Sequence, residues 1–90
     1  MDELPEPKKR RRAYLRKGCE AKDAGSCVLL GLLYRYEKPR EAIDYLLRGC
    51  RLGDINGCGS GVNICGPSER PFPECRELQE RFLQVPRAQR

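Results

Sequence analysis

Gly18–Cys27 reads GCEAKDAGSC, and Gly49–Cys58 reads GCRLGDINGC. Both stretches open on Gly-Cys, place an Asp five residues after the Gly and close on a second Cys, at an offset of 31 residues. At the same offset Tyr14 and Leu15 fall on Tyr45 and Leu46. A weaker match, offset by 36, sets Arg40-Glu41 on Arg76-Glu77 and Leu46-Leu47 on Phe82-Leu83. Periods in the thirties with helix–turn–helix content mark α-solenoids, in which each unit buries its apolar face on a neighbour. The expected fold is all-α: a short, disulfide-stapled α-solenoid of antiparallel helix pairs, with about five helices.

The cysteines fit that expectation. With Cys19 near the end of one helix and Cys27 in the first turn of the next, a short turn brings the Cα atoms within the roughly 4.4–6.8 Å that a disulfide spans. Cys50 and Cys58 repeat the arrangement. Each bridge would close a short loop and add roughly 2–3 kcal/mol. Cys65 and Cys75 stand outside the repeat. The segment between them holds Gly66, Pro67, Pro71 and Pro73, so it reads as a loop, and a third bridge clamping the last helix is its simplest use. Six cysteines allow about fifteen pairings, and spacing alone leaves the choice open. Zinc is the competing use, but two cysteines with seven residues between them lack the usual knuckle, and the chain has no His. No metal and no cofactor is expected.

The remaining segments follow from periodicity. A charged helical pattern covers roughly residues 9–21. Ser26–Tyr36 is the most apolar stretch, and the repeat assigns it to helix rather than strand. Pro39 suits the first position of the next helix, where Ala42, Tyr45, Leu46 and Gly49/Cys50 mark one face. Cys58–Cys65, with its glycines, predicts a short or frayed helix. Leu78, Phe82 and Val85 form the stripe of a last helix that Pro86 ends, leaving a tail. The chain therefore divides into a disordered basic arm (1–12), helical repeats (13–65), and a segment of loop, amphipathic helix and tail (66–90).

Charge separates these parts. Residues 1–17 hold seven Lys/Arg against three acids, and residues 18–90 eleven against ten, so +4 and +1 make the net +5. The basic run Lys8, Lys9, Arg10, Arg11 and Arg12 reads as a solvated helix start. Its sharper alternative is a nuclear-import signal, or a nucleic-acid or anionic-lipid arm. Residues 1–12 hold charge and proline but almost no core, so their removal is expected to leave the melting temperature nearly unchanged. The first residues, MDELPEPKKRRR, have no apolar core and do not read as a secretory signal. No run of apolar residues is long enough to span a membrane. With a mean hydropathy of -0.71 and no Trp, the core is thin and depends on its staples.

The string A-Y-L-x-x-G-C-E-x-x-D-x-G-S-C-x-x-L-G-L-L-Y, residues 13–34, resembles the Sel1-like repeat in the cysteine-rich form of the Helicobacter cysteine-rich proteins. Leu30-Gly31 and Tyr34 match its LG-x-x-Y segment, and Ala42 and Tyr45 its A-x-x-Y segment. The resemblance covers about residues 13–65. It implies Cys19–Cys27 and Cys50–Cys58 bridges and a small scaffold or adaptor that binds a protein or peptide. Some members of that group are described as weak β-lactamases. This chain has no Ser-x-x-Lys motif and no His to pair with a nucleophile, so no catalytic residue and no enzyme is expected.

Partner contact is expected where the helix Cys27–Tyr36 ends. The following helix would cover Leu29, Leu30 and Leu33, with Gly31 allowing close approach, and leave Tyr34, Arg35 and Tyr36 at an open end. Tyr34 and Tyr36 also read as core tyrosines with wet hydroxyls, and Tyr14 and Tyr45 as packing residues. A nucleic-acid partner acting through residues 7–17 is the alternative. Fewer than two intact repeats fall short of the three a solenoid needs. A longer parent array, a homo-oligomer or a degraded gene product would each account for that. Paired cysteines imply an oxidising compartment, the mitochondrial intermembrane space or the periplasm; free ones would imply the cytoplasm.

Overall fold

The computed structural model describes residues 6–66 and 72–89. Among them five α-helices follow in order: α1 (Glu6–Glu20), α2 (Ala24–Tyr34), α3 (Pro39–Arg51), α4 (Ile55–Cys65) and α5 (Glu74–Gln84). Arg87–Gln89, expected as tail, makes one 3-10 turn. No strand occurs among the described residues. The 31-residue shift carries both ends of α2 onto both ends of α4, and the end of α1 onto the end of α3.

The quoted stretches are the two turns that join these helices, and their backbones are the same. The Lys22 N–H donates to the Cys19 carbonyl at 2.9 Å and the Asp23 N–H to the Gly18 carbonyl at 2.9 Å. Gly53 N–H to Cys50 and Asp54 N–H to Gly49 repeat the pair, both at 3.0 Å. Each is a Schellman closure, which satisfies the last carbonyls of the first helix. The Asp that ends the closure also opens the next helix. Asp54 Oδ1 accepts from the Asn56 N–H at 2.9 Å, and Asp23 is held by the Ser26 hydroxyl at 2.7 Å.

The Schellman closure needs a left-handed residue, supplied by Gly53 (φ 103°) in one turn and Lys22 (φ 68°) in the other. A side chain there costs energy that glycine avoids. Lys22→Gly is expected to raise stability by about 0.5–1 kcal/mol, seen as a higher urea midpoint. A lower midpoint would show that the Lys22 side chain compensates for its backbone.

All six cysteines are bridged: Cys19–Cys27, Cys50–Cys58 and Cys65–Cys75, with Cα separations of 4.6, 4.7 and 5.8 Å. The first two join adjacent helices across the twin turns. The third ties the end of α4 to the first turn of α5.

The helices pack in sequence order, and α3 also meets α5. α3 is central because it buries two adjoining stripes. Ala42 shares a cluster with Leu15, Leu30 and Tyr34, while Leu46 sits against Gly31 of α2. One position round the helix, Ile43, Leu47 and Cys50 pack with Cys58, Cys65, Cys75 and Leu78 of α4 and α5. Ile64 touches both clusters.

Ion pairs add to the hold on α5. The Arg51 guanidinium donates twice to the Glu77 carboxylate, at 2.8 and 2.6 Å, and Arg81 donates to it at 2.7 Å. Arg40 pairs with Glu74. The two guanidiniums, Arg51 first and then Arg81, pull the Glu77 pKa from 4.5 down to about 2. Glu77 therefore stabilises the fold above its unfolded pKa of 4.5, and that contribution is lost as pH falls toward about 2. Glu77→Gln is expected to cost about 1 kcal/mol at neutral pH, the site being partly solvated. It should also flatten the fall in melting temperature across that acidic window. A variant with the wild-type slope would show that the pair contributes nothing.

Three expectations change. Residues 6–12 are the first two turns of α1, not a disordered arm; residues 1–5 lie outside the described residues. Pro7 is tolerated in a first turn, and the Lys, Arg and Ala that follow have high helix propensity. α2 begins at Ala24 and ends at Tyr34, two residues earlier at each end than expected, because Asp23 starts it. α4 is a full eleven-residue helix from Ile55, which Asp54 caps. The proline-rich loop expected after Cys65 falls largely on residues 67–71, outside the described ones.

Candidate interaction surface

The three residues expected to meet a partner are placed apart. Tyr34 is buried, at 7% exposure. Its ring stacks on Tyr45 with centroids 5.8 Å apart, and its hydroxyl accepts from Arg16 at 2.9 Å. The Arg12 guanidinium lies 4.5 Å from the Tyr34 ring centroid, and Arg48 lies 5.3 Å from that of Tyr45. The Arg16 pKa is raised by the neighbouring phenols, Tyr45 first and then Tyr34. Tyr34 is thus part of a sandwich of phenols and guanidiniums that joins α1 to α2 and α3. Tyr36, in contrast, is 85% exposed, with Arg35 over its ring at 4.8 Å. Only Arg35 and Tyr36 remain at the surface. Tyr14, expected in the packing, is 76% exposed.

Arg12 makes the sandwich depend on the basic run. Besides covering Tyr34 it pairs with Glu37 at 3.1 Å, and its side chain is only 15% exposed. Arg12→Ala is expected to lower stability by about 1 kcal/mol, the sum of a cation–π contact and a half-screened ion pair. Deleting residues 1–12 removes the same contacts, so a lower melting temperature replaces the unchanged one expected from sequence. An unchanged urea midpoint for Arg12→Ala would count against the sandwich. Lys8, Lys9, Arg10 and Arg11 are exposed on α1.

Leu29, expected beneath α3, is 54% exposed. With Leu15, Leu32 and Leu33 it floors a groove of about 270 Å³ between α1 and α2, and Arg11 and Arg35 complete the lining. A wider depression of about 620 Å³ lies over the Cys19–Cys27 bridge, beside Lys22, Arg48 and Arg51. Two of its three cations are taken, Arg48 by Asp44 at 3.1 Å and Arg51 by Glu77 at 2.6 Å. The leucine groove combines apolar floor and cations with less internal neutralisation. Sequence reasoning missed it. α2 is apolar around most of its circumference, so no periodicity marks which leucines stay uncovered.

The bridged sulfurs offer no thiolate to a metal. No helix among the described residues is long and apolar enough to cross a membrane. No family model, curated protein or solved structure matches the chain.

Proposed function

We propose that the chain is a small Sel1-like scaffold, a short α-solenoid of antiparallel helix pairs that mediates protein–protein or protein–peptide interaction. The observation that carries this reading is the groove of Leu15, Leu29, Leu32 and Leu33, which the fold leaves open between two rigidly stapled helices. An exposed Leu29 and half-buried Leu32 and Leu33 beside arginines suit a partner with an apolar face and a polar rim. The superposable turns at Cys19–Cys27 and Cys50–Cys58 support the repeat assignment.

The test places a photo-crosslinking p-benzoylphenylalanine at Leu29, Tyr36 or Leu83, which are exposed on three separate parts of the molecule. Irradiation in the source cells should give a discrete protein adduct, identified by mass spectrometry, from at least one position. Absence of a protein adduct from all three ends the reading. The exposed Lys8–Arg11 run on α1 favours nucleic acid as a second reading. That binding would weaken steeply with salt, whereas groove binding would weaken little.

A further inference from the structure

We propose that the groove between α1 and α2 receives an amphipathic helix of a partner protein, acidic at one end. The inference rests on the reading of the chain as an interaction module and adds the chemistry of the partner.

The internal repeat identifies the occupant as a helix. Shifted by 31 residues, Arg11, Leu15 and Leu33 of the groove become Ala42, Leu46 and Ile64. All three of these lie against α2 or its cluster. Ala42 and Ile64 pack with Leu30 and Tyr34, and a Cβ added to Gly31 would stand 2.7 Å from Leu46. Leu29, Leu32 and Arg35 become Ser60, Asn63 and Gly66, of which Asn63 is exposed, so the second hairpin has a helix over one side of the surface that the first hairpin leaves open. Grooves with that geometry bind an amphipathic helix through side chains spaced three and four apart.

Charge separates this occupant from α2. Where the covered surface has Ala42, the open one has Arg11. α2 reads AGSCVLLGLLY, without a charged residue. A second copy of such a helix would bring no carboxylate to the Arg11 guanidinium. Residues 7–17 of α1 and the whole of α2 contain no Asp or Glu, and Glu37, beyond the end of α2, is already paired with Arg12. Arg11 has no carboxylate partner among the described residues. An acidic occupant therefore meets a guanidinium that no described carboxylate holds.

Its position along the occupant also follows. Contacts between the walls pair Arg12 with Glu37, Arg16 with Tyr34 and Cys19 with Cys27. The second number falls as the first rises, so the start of α1 lies beside the end of α2. Arg11 and Arg35 therefore share one mouth of the groove, and Leu15 and Leu29 lie further in. The partner helix should present leucine-like side chains to the floor and Asp or Glu at the end that meets the arginines. A planar guanidinium pairs well with a carboxylate there.

The test uses the full oxidised chain and two fluorescein-labelled peptides of about 18 residues, five helical turns. They share a leucine face and differ only in carrying Glu or Lys at one end. Fluorescence anisotropy should show the Glu peptide bound at least about tenfold more tightly than the Lys peptide. Leu29→Asp should abolish binding, and because Leu29 is half exposed its circular dichroism should match wild type. Arg11→Glu with Arg35→Glu should reverse the preference between peptides. Equal binding of both peptides, binding of neither, or binding indifferent to Leu29→Asp overturns the proposal. So does a sedimenting dimer that Leu29→Asp dissolves, which would give the groove to a second copy. A crosslinked protein partner at Tyr36 or Leu83 but not at Leu29 refutes this inference alone. Silence at all three positions refutes the scaffold reading itself.

Discussion

Reduction of the three disulfides under otherwise native conditions is expected to unfold the protein. The bridges span sequence separations of 8, 8 and 10 residues. Loop-closure entropy assigns each about 2.5–3 kcal/mol, or roughly 8 kcal/mol together if they act independently. The whole stability of a domain is about 5–15 kcal/mol, and a chain of this size sits toward the low end. Six of the fifteen buried apolar residues named among the described ones are half-cystines, so reduction also weakens the core. Removing the bridges thus takes away about as much as the fold has. Circular dichroism at 222 nm should show most of the helical signal lost in excess tris(2-carboxyethyl)phosphine and regained on reoxidation. A reduced protein that melts within a few degrees of the oxidised one would show that the apolar stripes of α3 suffice. The single variant pair Cys65→Ser, Cys75→Ser should be milder, because Leu78 and the Arg51–Glu77 pair still hold α5.

The dependence on staples was visible before the fold because a turn is a local object. Gly18-Cys19 and Cys27 mark a helix end and the next helix's first turn within ten residues, and the second copy repeats the spacing; the capping by Asp23 and Asp54 was missed, so α2 and α4 start earlier than expected. The two stripes of α3 were half visible. Ala42, Tyr45 and Leu46 have helical spacing, but Ile43 and Leu47 matter only once α4 and α5 lie on that side. What stayed hidden depends on contacts distant in sequence. Arg12 meets Glu37 and Tyr34 because two helices cross back on one another, and no window of the sequence holds all three residues. Tyr34 and Tyr36 stand two residues apart and have opposite fates. The first is still on α2 and turned to α3, while the second lies past the helix end. The fraying expected of α4 misread its glycines. At Gly57 and Gly61 the missing side chain is what lets neighbours approach, so low helix propensity there signals close packing.

Gly57→Ala is accordingly expected to destabilise the protein by about 1–2 kcal/mol, although alanine is the better helix former. Alanine in a helix interior gains about 1 kcal/mol over glycine. Against that, a Cβ at Gly57 would stand 2.7 Å from the Leu46 carbonyl oxygen and 2.8 Å from the Cys50 nitrogen. Both are backbone atoms of α3 and cannot swing aside as a side chain would. α4 must move away, and it is anchored to α3 beside that point by Cys50–Cys58. The shift would also loosen Ile43 and Leu47 against Cys58 and Cys65. Overpacking of a rigid site costs about 1–3 kcal/mol or more, which outweighs the propensity gain. Gly59, two residues on in the same helix, gives the opposite sign. Its Cβ would meet only Phe82 Cε1, at 3.4 Å, an ordinary contact. Gly59→Ala should therefore raise stability by up to about 1 kcal/mol. Urea unfolding of the two oxidised variants measures both. If the two midpoints move in the same direction, helix propensity rather than the α3–α4 approach governs this helix, and the close packing at Gly57 is refuted.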